Sequence, residues 1–193
     1  MRIYSMAIPG VDPDACLSLF NGDERNRAGE LSGRPRLQFL ASRALQRGIL
    51  GPDAEILRDE KGRPYVRGNP VFFSVSHSGD LVVMAVAPNP IGIDVEYMKP
   101  HDFARLSAWF FGEAIQGRED FYRRWTRFEA GLKLAGLPLF STLAPEPLHL
   151  HSEEMGGYML SVASNSGIRL PLSLEAVWPG GTGCTKRLGP GTE

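Results

Sequence analysis

Three short stretches carry side chains that could do chemistry together. In Gly92-Ile93-Asp94-Val95-Glu96, two carboxylates stand two residues apart. On a strand that spacing puts Asp94 and Glu96 on one face and Ile93 and Val95 on the other. Like charges so close repel, so a cation, a proton or solvent must come between them. A hard divalent ion such as Mg²⁺ takes one or a few carboxylates and fills its shell with phosphate oxygens and water. A solvated strand edge accommodates the same pair without an ion.

The second stretch is Trp125-Thr126-Arg127-Phe128-Glu129-Ala130-Gly131-Leu132-Lys133. Glu129 and Lys133 are spaced i, i+4 and share one helix face. As a surface pair they are worth about 0.2–0.5 kcal/mol. In a sharper reading Glu129 is a third carboxylate at a metal, with Lys133 one turn away beside a phosphate. The third stretch, Phe73-Ser74-Val75-Ser76-His77-Ser78-Gly79, reads as a strand ending in a turn at 76–80. Such a turn can hold a phosphate with hydroxyl and backbone donors, or serve structure alone. No acid follows at a spacing that suggests a hydrolytic triad. His101, His149 and His151 show no metalloprotease spacing and read as surface residues. The Gly180–Lys186 stretch lacks the Gly-Lys-Ser/Thr order of a phosphate loop.

The elements that must position these groups follow from periodicity. Residues 2–8 read as a strand. Residues 35–49 read as a helix, with Leu37, Leu40, Ala41, Ala44 and Leu45 on one face and Pro35 in the first turn. Short strands follow near 55–57, 65–66 and 71–75. The apolar run 81–87 and the segment 91–96, joined by Pro88-Asn89-Pro90, read as a hairpin. Residues 99–102 read as a linker, 103–111 as a helix, and 120–135 as a stronger helix with Phe121, Trp125, Phe128 and Leu132 on its stripe. Gly136 and Pro138 end it. Strands return at 158–163 and 168–178, and 180–193 reads as a frayed end. The order suggests an α+β architecture. Val86-Ala87-Pro88-Asn89 and Val162-Ala163-Ser164-Asn165 echo each other at the ends of two apolar strands, as an internal duplication would leave them.

A length of 193 residues favours one domain or two small, closely packed halves. No apolar run approaches the ~20 residues of a membrane span. The N-terminus lacks the pattern of a secretory signal. Cys16 and Cys184 form no framework and no metal-ligand spacing. These features point to the cytoplasm, with no membrane partner. The net charge of −1 argues against nucleic acid as a partner. Of the 21 basic residues, 17 are Arg, the side chain suited to bidentate phosphate contacts. Arg34, Arg36, Arg43 and Arg47 come with no acid among them, as a phosphate-facing stretch or a solvated helix face.

Taken in order, the Ser-His-Ser stretch, the Gly-Ile-Asp-Val-Glu strand and the Trp-Thr-x-x-Glu-Ala-x-x-Lys helix resemble the 4′-phosphopantetheinyl transferases of the surfactin-synthetase-activating type. The resemblance extends upstream to Arg43 and Gly62-Arg63-Pro64 and downstream to 157–163. It implies two similar α+β halves related by a pseudo-twofold axis, at roughly 1–98 and 99–193, with coenzyme A between them. It implies a Mg²⁺-dependent transfer of the phosphopantetheine arm of coenzyme A to a serine of an apo acyl or peptidyl carrier protein, releasing adenosine 3′,5′-bisphosphate. Asp94, Glu96 and Glu129 then correspond to the Mg²⁺ ligands and Lys133 to the lysine near the reacting phosphate. Ser76 and His77 correspond to contacts with the phosphates of the adenosine end, with Arg43 and Arg63 as further cations. Glu113 corresponds to the proton acceptor, with Glu119 as the alternative. A monomer is expected.

Phe128 departs from the family's usual Lys before the helix glutamate. Arg127 does not substitute, since one helix position is a rotation of about 100°. This departure keeps open a non-catalytic coenzyme A-binding homologue of the same fold. The stretch from Glu96 to Glu129 is also short for the family, which leaves carrier choice open.

Overall fold

The computed structural model describes residues 1–139, 141, 148–168 and 174–177. Cys184, the 180–193 segment and, of the 168–178 strand, residues 169–173 and 178 lie outside them. The architecture mixes helix and sheet in four layers. The chain runs β1 (Arg2–Ala7), α1 (Pro13–Ser18), α2 (Gly22–Glu30), α3 (Gly33–Leu50), β2 (Ile56–Arg58), β3 (Pro64–Val66), β4 (Asn69–Ser78), β5 (Leu81–Ala87) and β6 (Ile91–Tyr97). It continues through α4 (Phe103–Phe111), α5 (Arg118–Ala135), β7 (His149–Met155), β8 (Tyr158–Ser164) and β9 (Leu174–Ala176).

Among the described residues these strands form two sheets, ordered β2-β3-β4-β5-β1-β9 and β6-β8-β7. Strand alternation divides the apolar side chains between the layers. In the first sheet, Tyr4, Met6, Phe73, Val82 and Met84 face α3 and its Leu40, Ala41, Ala44 and Leu45. The opposite residues, Ile3, Val83 and Ala85, meet Ile93, Val95, Leu160 and Val162 of the second sheet. The outer face of the second sheet receives α5 through Ala130, Leu134 and Ala163. The two sheets share a partial order, β4-β5-β1 and β7-β8-β6, each with a central strand in antiparallel pairs.

Three expectations change. First, β4 continues through Ser78, so Ser76-His77-Ser78 is strand and the turn is Gly79-Asp80. Ser78 pairs with Leu81 and His77 with Val82, and Gly79 supplies φ 54° for the two-residue connection. Second, β5 and β6 are not a hairpin. Both edges of β5 are occupied, by β4 and β1, and β6 crosses to pair with β8. Third, the buried face of α5 is Tyr122, Thr126, Ala130 and Leu134, with Phe121, Gly131 and Leu132. Trp125 and Phe128 are half-buried and pack against Phe111 instead.

The close approach of α5 to β6 explains Gly92. A Cβ there would lie 1.9 Å from the carbonyl oxygen of Ala130 and 2.8 Å from the nitrogen of Leu134. The helix backbone sits directly on the strand, and this sets the distance between their functional side chains. At the other end of α5, Gly136 takes φ 69° as the helix ends. A Cβ there would meet the carbonyl oxygen of Lys61 at 2.1 Å, so the β2–β3 loop is seated on the helix end.

Candidate active site

The alternation that makes β6 a strand turns Ile93 and Val95 into the intersheet core, where both are fully buried. It turns Gly92, Asp94 and Glu96 toward α5. Asp94 is 1% exposed. Glu129 comes down from α5, and one oxygen from each of Asp94, Glu96 and Glu129 lies within 4.8 Å of the others. The three acids predicted to converge do so.

Partners supplied by the fold are uneven. Lys133 Nζ donates to Asp94 Oδ1 at 2.7 Å and to Ser76 Oγ at 2.9 Å. Ser76 donates to the same Asp94 oxygen at 2.7 Å. Among the described residues, Asp94 Oδ2, also buried, has no hydrogen-bond partner. Burial pushes the Asp94 carboxyl above the usual carboxylate range, against the pull of Lys133. Burial likewise raises Glu96, opposed by a hydrogen bond from Ser78. Burial and then the charge of Asp94 push Glu129 up to about 7, against Lys133 and the Trp125 side chain. A buried carboxylate oxygen without a partner, inside a cluster of three acids and one lysine, is a costly arrangement in a protein alone. An all-oxygen donor set of this kind suits a hard divalent cation.

Lys133 also lines a cleft of about 690 Å³ beside this cluster. Arg43, Arg58, Lys61 and Arg63 line it too, with Gln46 and Ser74. Arg63 is held in place on the β2–β3 loop. Its Nε donates to Asp59 Oδ2 at 2.7 Å and its Nη1 to the Leu134 carbonyl of α5 at 3.3 Å. Arg43 donates to Gln46 Oε1 at 2.8 Å. Burial lowers its pKa, and it reaches a second, smaller cleft as well, lined also by Ser42 and His77. His77 is on the α3 side of β4, exposed. Desolvation and then the charge of Lys133 hold its imidazole below the ordinary value.

The remaining candidates separate. Ser76 is buried between Asp94 and Lys133 and belongs to the carboxylate cluster, whereas Ser74 lines the cleft. Glu113, in the α4–α5 connection, is exposed and paired with Arg124. Neither the acidic cluster nor the lining of either cleft includes it among the described residues. Glu119 is exposed in the first turn of α5. The arginine run on α3 splits by role. Arg34 pairs with Asp80 at 2.6 Å. Arg47 is buried against Glu24 at 2.9 Å and donates to the carbonyls of Pro52 and Ala54. Only Arg43 and Arg47 reach the main cleft.

Arg58 and Lys61 escaped the reading of the sequence, as did the roles of Ser74 and Ser78. The serines had a signal: Ser74, Ser76 and Ser78 alternate on one strand face. Arg58 and Lys61 had none, because the end of β2 and the loop after it bring them to the cleft. Among the described residues, His149 and His151 sit on β7 without joining an acidic cluster.

Curated relatives match part of this chain. A 4′-phosphopantetheinyl transferase psf-1 of Bacillus pumilus is 41% identical over 85 residues, covering 39% of this chain and 36% of the relative. The 4′-phosphopantetheinyl transferase AcpT of Salmonella typhi is 32% identical over 117 residues, covering 54% of this chain and 61% of the relative. The chain is similar to the 4′-phosphopantetheinyl transferases. The 4′-phosphopantetheinyl transferase Sfp of Bacillus subtilis extends the match to 150 residues at 26% identity, covering 72% of this chain and 65% of the relative. In these three cases the match spans between 36% and 65% of the transferase's own length. No family model matches the chain.

Proposed function

We propose that the protein transfers the 4′-phosphopantetheine arm of coenzyme A to a serine hydroxyl of an apo acyl or peptidyl carrier protein, releasing adenosine 3′,5′-bisphosphate. The observation that carries this reading is the junction at Lys133. One ammonium group bonds to the acid cluster and also lines a cleft with five further described cations, Arg43, Arg47, Arg58, Lys61 and Arg63, of which Arg47 is already paired with Glu24. A substrate with several phosphates fits such a cleft, and its reacting diphosphate belongs beside Lys133.

Asp94, Glu96 and Glu129 would hold Mg²⁺, which supplies charge stabilisation at the phosphate oxygens when bound. Lys133 then neutralises charge growing on the leaving phosphate, and its hydrogen bonds to Ser76 and Asp94 hold it ready before substrate arrives. Arg43 and Arg63 orient the adenosine end, and His77 faces the smaller cleft that Arg43 shares. Glu113 is the proposed acceptor of the serine proton; its exposure in the α4–α5 connection is compatible with an acceptor that meets a bound carrier. The common order of the two sheets supports an internal duplication with a pseudo-twofold relation, in halves at roughly 1–98 and 99–193 that exchange β6 and β9. A cytoplasmic monomer is the proposed state. No helix among the described residues is long and apolar enough to cross a membrane.

The test is mass spectrometry of apo carrier proteins incubated with the protein, coenzyme A and Mg²⁺. A gain of one phosphopantetheine group is expected. Its disappearance in folded Asp94→Ala and Glu129→Ala variants is expected as well. Labelling that persists in those variants overturns the metal assignment. Phe128, packed into an aromatic group with Trp125 and Phe111 rather than adding a cation, favours the non-catalytic reading. Tight coenzyme A binding without transfer to any carrier would establish that alternative.

A further inference from the structure

The strands β4 and β6 lie in different sheets, so no backbone ladder joins them. Hydroxyl groups do so instead. Ser74 Oγ accepts from the Ile93 N–H at 3.1 Å, Ser76 donates to Asp94, and Ser78 Oγ accepts from the Tyr97 N–H at 3.0 Å while donating to Glu96 Oε2. Ser78 thus has a defined geometry. The Tyr97 amide takes up a lone pair, and the single hydroxyl proton goes to the carboxylate. Asp94 is held by two groups, Ser76 and Lys133. Among the described residues, Ser78 is the hydrogen-bond donor that holds Glu96. Glu96 is half-buried and has one more side-chain torsion than Asp94, so its carboxylate needs such an anchor to stay in the cluster.

We propose that Ser78 is a positioning residue: its hydroxyl, carried by the first sheet, fixes the Glu96 carboxylate of the second sheet in the orientation that the cation site requires. This rests on the reading of Asp94, Glu96 and Glu129 as that site. Groups that orient metal ligands commonly control affinity by ~10-fold or more.

The experiment titrates the full-length protein with Mn²⁺, alone and with coenzyme A, and counts free Mn²⁺ by electron paramagnetic resonance. Ser78→Ala is expected to weaken Mn²⁺ binding about 10-fold. Ser78→Thr, which keeps the hydroxyl and suits a strand, is expected to restore it to within about 2-fold. Ser78→Cys, close in size but a weak donor, should resemble the Ala variant and decides the matter if that variant does not fold. Thermal midpoints in EDTA provide the structural control, because a role limited to packing would lower them and leave affinity unchanged. Glu96→Gln is the reference for the site itself. If wild type takes up no Mn²⁺, or Glu96→Gln binds as wild type does, the underlying metal reading fails. If Glu96→Gln is weakened while folded Ser78→Ala or Ser78→Cys binds normally, the metal reading stands and the role of Ser78 is overturned.

Discussion

On the face where α5 meets the second sheet, two polar patches lie side by side. In one, Thr126 Oγ1 donates to the Tyr122 carbonyl at 2.8 Å and lies 2.6 Å from Ser161 Oγ. Ser161 continues to Ser152 at 2.8 Å, and Arg127 Nε closes the chain on Ser152 at 2.7 Å. In the other, Asp94, Glu96 and Glu129 converge, the pKa of each carboxyl raised by burial, with Asp94 Oδ2 unpartnered among the described residues. Asp94 and Ser161 are direct cross-strand partners, and Thr126 and Ser161 are as buried as Asp94. Burial therefore does not distinguish the patches. The hydroxyl chain is satisfied from within and needs nothing from outside. The acid cluster has like charges and, among the described residues, an unused acceptor, and the proposed cation would complete it.

The largest effect that tests this contrast comes from deleting an acid. Asp94→Ala or Glu129→Ala should reduce carrier labelling by at least ~100-fold, comparable to the loss of a strong electrostatic group at a reacting phosphate. Circular dichroism should show both variants folded. A variant that retains labelling breaks the contrast, because the acids would then be as structural as the serines. Gly92→Ala should remove both patches at once. With Ala130 O only 1.9 Å from the added carbon, the strand or α5 must move, at a cost of about 3 kcal/mol or more in denaturant unfolding.

The pH dependence of stability is a smaller effect with a definite sign. Glu129 titrates near 7 in the fold, against an ordinary value of 4.5. The fold thus favours the neutral acid, so this contribution is complete below 4.5 and is lost as pH rises through about 7. In EDTA the thermal midpoint should fall by a few degrees between pH 5 and pH 8, on the order expected for ~1 kcal/mol. Glu129→Gln should flatten that decline. A midpoint that rises over the same interval would contradict the assignment of repulsion to the acid cluster. Smallest is the effect expected within the hydroxyl chain. Thr126→Val keeps the shape and removes the donor, costing ~1 kcal/mol of stability. Labelling per folded molecule should stay within about 3-fold of wild type; a much larger loss would make the hydroxyl chain part of the active machinery.

How much of this was readable in advance depended on distance along the chain. The helices at 103–111 and 120–135, the strand at 81–87 and the glycine stop at 136 follow from local periodicity; α4, β5 and the α5 cap lie there, and α5 begins two residues earlier, at Arg118. The pairing of Asp94 with Glu96 follows from the period of a strand, and that of Glu129 with Lys133 from the pitch of a helix. Local signals misled at two places. Ser76-His77-Ser78-Gly79 has the composition of a turn, but the β4–β5 ladder extends over the serines and leaves only Gly79-Asp80 to reverse the chain. Pro88-Asn89-Pro90 has the composition of a hairpin turn, but β5 already has a neighbour on each side. Helices α1 and α2 were not anticipated. Both have side-chain N-caps, at Asp12 and Asn21, and Asn21 forms a capping box with Glu24.

By itself the sequence determined which residues share a face, because the strand and helix repeats are set by backbone geometry alone. That was enough to nominate Asp94, Glu96, Glu129 and Lys133 as chemical pairs. Only the tertiary structure decided that the pairs meet, that Ser76 and Ser78 attach to the acids from another sheet, and that Arg58 and Lys61 join Lys133 at one cleft. Those contacts depend on the crossing of β6 and the seating of α5 on Gly92. Both are long-range packing choices, made by competition for strand edges and buried apolar surface, and no local repeat encodes them.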